Sequence, residues 1–258
     1  MMFTERINLR EIWNVTLPSV IFTALFLVSA WPLLAGENLI QTTNTNQIQL
    51  ILAILIPFSM VLLLNDVLNQ LISIRSFALI AIFVSLAVAL RPLGLGVAGL
   101  EPIWVAIIIA GYTLGISAGF IVGGLALMLS ALVTGGVGPW LGNQMVLAAL
   151  IGAGAGVIGR VSISRLMITV YAFITTYFFG WFMNLWFWPT FSNLQSAIAF
   201  DPTSSIAERV LAWAKFSLLT SSGFDVPRAL LSATLVWLSA RRIKSTVTRL
   251  NAPFTTEP

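Results

Sequence analysis

The side chains best suited to chemistry are few and cluster in short segments. Arg91 stands in "LRPLG", Glu101 in "GLEPIW", Asn143 and Gln144 in "GPWLGNQM", Asn184 in "WFMNLWFWP", and Asp225 with Arg228 in "GFDVPR". Trp140, Trp186 and Trp188 lie in the same segments. Charged and amide groups are expensive in hydrocarbon unless they line a cavity, and a pocket for a flat ligand has aromatic walls with a few placed polar groups. The set therefore reads as a substrate-binding lining whose chemistry is hydrogen bonding and ion pairing. Covalent chemistry has little to work with. The chain has no Cys and no His, which removes disulfides, zinc sites, thiolate nucleophiles and histidine proton relays. No metal site and no cofactor are expected without a carboxylate cluster. Ser85, Ser130 and Ser232 have no Lys or His partner within a span, and neither "DDxxD" nor "GxxxxGK[ST]" occurs, so an intramembrane enzyme and a nucleotide site are both disfavoured.

Each of these residues also has a plainer role. Tryptophans near span ends anchor at the interface, Arg91 can snorkel, and Asp225 with Arg228 can pair at i, i+3. The glycines and Pro139 of "GGVGPW" can make a tight turn. Gln144 is the residue a turn alone does not need.

The elements that must position this set are membrane helices. Hydrophobic residues make up 58% of the 258 and charged ones 9%, far from the balance of ordinary soluble domains. Eight apolar runs qualify as spans, near 14–35, 48–65, 76–93, 102–118, 119–134, 143–159, 165–188 and 226–243. The fourth and fifth are separated only by "GISAGF", which predicts an antiparallel hairpin. Between Pro189 and Asp225, Val210, Leu211, Trp213, Ala214 and Leu218 recur beside Glu208, Arg209 and Lys215, a pattern that predicts an amphipathic helix on the membrane surface. Eight spans put both termini on one side, and Arg6, Arg10, Arg75, Arg160, Arg165, Arg241, Arg242, Lys244 and Arg249 make that side the cytoplasm. All five segments then face outward. The basic excess is too dilute for a nucleic-acid surface, so no DNA or RNA partner is expected.

Small residues form a second pattern. Ala81, Ser85 and Ala89 recur every four residues in "ALIAIFVSLAVAL", a strip along which another helix approaches closely, while Gly152 and Gly156 in "GAGAG" read as internal packing. The polar connector at 65–76 divides an N-terminal transmembrane hairpin, 1–75, from a core at 76–245 and a tail at 246–258.

The ordered series "ALRPLGLGVAGLEPIW", "GYTLGISAGFIVGGLALMLSALVTGGVGPWLGNQM", "GAGAGVIGR", "WFMNLWFWP" and "TSSGFDVPRALLSATLVWL" resembles the substrate-binding S components of energy-coupling factor (ECF) transporters, in particular a bacterial subgroup with an added N-terminal hairpin. The likeness runs from Phe77 to Arg242. In that subgroup "P-W" or "P-F" commonly precedes Gln-Met where "LGN" stands here. The resemblance implies an all-α membrane protein with a six-helix core after the two-helix hairpin, located in the bacterial plasma membrane. It implies that Ala81, Ser85 and Ala89 dock a transmembrane coupling subunit driven by two cytoplasmic ABC-type ATPases, and that the loaded S component topples to deliver its cargo. It suggests a vitamin-type cargo, cobalamin or a related corrinoid. A self-sufficient secondary transporter or channel is the alternative, and would call for carboxylates deep in the spans.

Overall fold

The computed structural model describes residues 23–34, 45–69, 74–94, 99–161, 164–191 and 198–251, and every regular element among them is helical. After helical residues 23–29 come α1 (Trp31–Leu34), α2 (Thr45–Asn69), α3 (Ile74–Leu90), α4 (Ile103–Leu114), α5 (Ile116–Thr134), α6 (Leu141–Val161), α7 (Arg165–Phe187) and α8 (Ile206–Asn251). Turns of 3-10 helix, Arg91–Gly94 and Trp188–Phe191, extend α3 and α7.

Four helical stretches are long and apolar enough to cross a membrane: Ile74–Gly94, Ile116–Thr134, Leu141–Val161 and Arg165–Thr190. They coincide with the third, fifth, sixth and seventh expected spans. The others depart from expectation for separate reasons. Of the first span, residues 23–34 are described, and their helix is broken by a turn at Ala30. In α2 the apolar residues Gln47–Leu62 lie within a helix of 25 residues. Helix α4 has 12 residues, about 18 Å of rise against about 30 Å of hydrocarbon. It is buried on nearly every face, with Ile107, Ile108, Ile109 and Ala110 fully enclosed, as befits a core helix.

The predicted "GISAGF" turn is a single residue. Gly115 has φ 101° and ψ −177°, a conformation open in practice only to glycine, and its N–H bonds to the Gly111 carbonyl at 2.9 Å to close α4 before α5 begins. Two helices thus reverse direction across one residue because the glycines on either side allow contact. A Cβ on Gly119 would strike the Cα of Gly111, and a Cβ on either glycine would strike the carbonyl of Gly152. Further along α6, Gly156 abuts Ile116 and Gly159 abuts the Tyr112 carbonyl. The glycine-rich face of α6 is therefore an internal seam against the α4–α5 hairpin.

The separate surface helix expected before the eighth span is not separate. Residues 206–251 form one helix of 46 residues, about 69 Å long, with Pro227 inside it. It starts at a capping box: Ser205 Oγ accepts from Glu208 N–H at 3.3 Å, while Glu208 Oε2 accepts from Ser205 N–H at 2.9 Å. Arg228 and Arg241 bracket the apolar part of α8, so its hydropathy is diluted.

The N-terminal segments share the core. Ile56, Met60 and Leu64 bury one face of α2, where Gly142 meets Ile56 and Pro57 and Gly124 meets Leu64. Ser29 Oγ donates to Asn143 Oδ1 at 2.8 Å, and Arg209 Nη1 donates to the Pro32 carbonyl at 3.2 Å. The core extends across the drawn boundary at 75, and α8 passes residue 245 without a break. Large apolar side chains still face outward on α2, α3, α7 and α8, among them Phe58, Ile82, Phe173 and Leu238, a surface suited to lipid.

Candidate functional site

One end of the bundle collects the C-terminal ends of α3, α5 and α7 and the N-terminal ends of α4 and α6. The opposite end collects basic residues: Lys244 Nζ donates to the Gly159 carbonyl at 3.2 Å, and the Arg165 guanidinium lies 3.8 Å from the centroid of the Trp237 ring. A cavity of about 520 Å³ opens at the first end, within the range of small-molecule sites. Its wall includes Glu101, Trp140, Gln144, Asn184, Asp225 and Arg228. Six of the ten residues singled out as substrate-binding thus share one space.

Local structure explains how they arrive there. Gly99, at φ 73°, touches the backbone carbonyl of Phe224, where a side chain would collide, and so residues 99–102 ahead of α4 lie against α8. That contact brings Glu101 to Arg228 Nη2 at 3.0 Å. The "GGVGPW" turn closes α5 through Gly135, left-handed at φ 67°. Gly138 lies against the Trp140 ring, which stands 5.9 Å from Phe187 across the cavity mouth.

The polar groups form a chain. Arg228 is buried and bonds both Asp225, one turn before it, and Glu101. Glu101 also accepts from the Trp104 indole at 2.9 Å. Burial alone would raise the Glu101 carboxyl, but Arg228, the Trp104 indole and the more distant Arg91 hold it below the ordinary carboxylate range. Ser221 Oγ donates to Asp225 at 2.6 Å and accepts from Asn184 Nδ2 at 3.2 Å. Gly180 makes room for Asp225, whose carboxylate a Cβ there would strike. Arg91 stands behind the wall, donating to Ser130 Oγ at 2.9 Å and to Gln144 Oε1 at 3.5 Å.

Three expected residues lie elsewhere. Asn143, one residue before Gln144, is turned about 100° round α6 and faces Ser29. Trp186 is buried among core side chains, and its carbonyl accepts from Gln49 Nε2 at 2.8 Å. Trp188 is fully enclosed, packs edge-on to Phe200 at 5.1 Å and donates to the Ile198 carbonyl at 2.8 Å, which ties down the segment leading to α8. The apolar lining comes instead from Phe179, Met183 and Phe187 on one face of α7 and from Phe216 and Phe224 on α8, with the hydroxyls of Thr220 and Ser221 between the last two. The i, i+4 spacing of 179, 183 and 187 is the sequence signal that puts these three side chains on one helix face.

Ala81, Ser85 and Ala89 lie on an exposed face of α3. Among the described residues no group of three metal-ligating side chains comes together. The arrangement offers an aromatic floor, two amides and an ionic triad, which is the chemistry of recognition. Comparisons with protein-family models, with curated proteins and with solved structures return no match.

Proposed function

We propose that this chain is the substrate-binding subunit of an ATP-driven importer of the ECF type, with eight spans, both termini in the cytoplasm and the cavity facing outward. The single observation that carries the reading is the cavity itself. An aromatic, partly polar space of about 520 Å³ opens at the end of the bundle opposite a cluster of arginines and Lys244, the arrangement expected if basic residues mark the cytoplasmic side. The chain's lack of a nucleotide motif fits a partner that supplies the ATPases. The exposed strip Ala81, Ser85, Ala89 fits docking of a coupling subunit, with the N-terminal segments bracing the core rather than competing for that face.

The cargo proposed is a vitamin-type organic micronutrient. The cavity suits a drug-sized molecule; a corrinoid would fill it in part and occupy the mouth with the remainder.

Two expectations follow. Ala81→Trp or Ser85→Trp should abolish co-purification with the coupling subunit and its ATPases while leaving cargo affinity unchanged, because a large ring on the strip holds the partner helix away. Retained co-purification would refute the docking assignment. Gln144→Ala or Asn184→Ala should weaken cargo binding by about 1–3 kcal/mol, the cost of leaving a buried hydrogen-bonding group unpaired. Tryptophan-fluorescence titration of the purified chain, starting with cobalamin and cobinamide and extended to other vitamins, measures both.

One observation favours a second reading, a self-sufficient transporter. Asp225 is fully buried within α8 and is in contact with the cavity, where coupling carboxylates are found. Uptake of cargo by the purified chain alone in liposomes would favour that reading over the importer subunit.

A further inference from the structure

The charges around the cavity are unevenly shared. The Arg228 guanidinium serves two carboxylates, Asp225 and Glu101, so the triad carries a net negative charge. Glu101 is its accessible member, with a side chain 37% exposed against 1% for Asp225. Arg91 is in the converse position. Among the described residues no carboxylate lies within ion-pairing distance of it, and its polar partners, Ser130 and Gln144, are neutral. Glu101 is near enough to act on Arg91 through space, but its oxygens accept from Arg228 and Trp104 instead, one bond each, which leaves each a second lone pair for a ligand. The cavity thus has a negative side at Glu101 and, directly behind the wall residue Gln144, the positive charge of Arg91, the two summing to zero next to an apolar floor of Phe179, Phe187, Phe216 and Phe224.

A ligand with a single net charge would leave one side uncompensated in a site of low dielectric, which is costly. A ligand bearing both charges on one edge would satisfy both sides. We propose that the cavity takes a zwitterion with an aromatic body, whose carboxylate is received by Arg91 and whose protonated nitrogen is received by Glu101. Gln144 is the exchangeable part. Its 3.5 Å contact with Arg91 is the loosest in the site, and turning its amide gives the carboxylate access to the guanidinium. An α-amino acid head carries the two charges at the required close spacing. This inference rests on the reading of the cavity as a small-molecule site, and it sets an aromatic amino-acid type of cargo in place of the corrinoid named above.

The test uses the purified full-length chain and four matched probes: L-tryptophan, tryptamine without the carboxylate, indole-3-propionate without the ammonium, and L-tryptophanamide. Isothermal titration should rank L-tryptophan about tenfold or more above each of the other three, the worth of one charge-assisted hydrogen bond. Arg91→Gln should erase its advantage over tryptamine and leave its advantage over indole-3-propionate; Glu101→Gln should do the reverse. Arg91→Lys, which keeps the charge, should retain part of the preference and covers the case in which Arg91→Gln does not fold. Equal binding of all four probes, binding indifferent to both substitutions, or no binding by the cooperatively folded wild type would each overturn the zwitterion proposal. The importer reading fails separately, if the wild-type chain does not co-purify with a coupling subunit.

Discussion

Replacing Gly152 with leucine is expected to leave no folded protein in detergent. At this position α6 meets the α4–α5 hairpin backbone to backbone. A Cβ on Gly152 would strike the carbonyl and Cα of Gly119, and a Cβ on Gly119 would strike the carbonyl of Gly152 in return. None of the struck atoms belongs to a side chain able to rotate away. Overpacking a core by a methylene or two costs about 1–3 kcal/mol where side chains can adjust, and a branched side chain between two helix backbones exceeds that range. Gly152→Ala should lower the melting temperature clearly, and Gly152→Leu should elute as aggregate in size-exclusion chromatography. Gly223 on α8 provides the control, since nothing lies within 4 Å of a Cβ built there. Gly223→Ala should melt at or above the wild-type temperature, because alanine is the better helix former by about 1 kcal/mol. A Gly152→Leu protein that stayed monodisperse and melted with the wild type would mean that α6 and the hairpin are not in backbone contact.

Much of this contact was legible in advance, and some of it was not. The "GAGAG" run marked close helix packing because small residues at four-residue spacing have few other uses in an apolar helix. The reversal at Gly115 was placed too broadly. Apolar periodicity continues through "GISAGF", and only the backbone conformation at one glycine separates α4 from α5. Helix α8 was divided for the opposite reason: "TSSGFDVP" is rich in residues that end helices, yet Thr220, Ser221 and Pro227 all lie within one continuous helix. Hydrogen bonding explains part of this. The Thr220 hydroxyl donates to the Phe216 carbonyl one turn back and the Ser221 hydroxyl donates to Asp225, so these side chains are bonded along the helix rather than in a turn. The polar half of the cavity was visible because charge is conspicuous in an apolar chain. Its aromatic half was hidden because Phe179 and Phe216 look like any other lipid-facing or core phenylalanine until α7 and α8 are placed side by side.

The second large effect is expected at Arg228. Arg228→Met should cost about 3–5 kcal/mol, since it removes the cation from a buried ionic group and leaves Asp225 uncompensated. Glu101 suffers less, because its side chain is partly exposed and can remain hydrated at the cavity mouth. The two acids should therefore separate in a rescue experiment. Adding Asp225→Asn to Arg228→Met removes the deep charge while nearly preserving its shape against Gly180, and most of the lost stability should return. Adding Glu101→Gln instead should return little. Unfolding in detergent, followed by circular dichroism, reads the stability of all three variants, and the binding titration is run on the same samples. Cargo binding should stay lost in the rescued double variant, because the triad is rebuilt as packing but not as charge. Recovery of both properties together would assign the triad a purely structural role, and a single Arg228→Met variant as stable as the wild type would show that Asp225 finds water or another donor in its place.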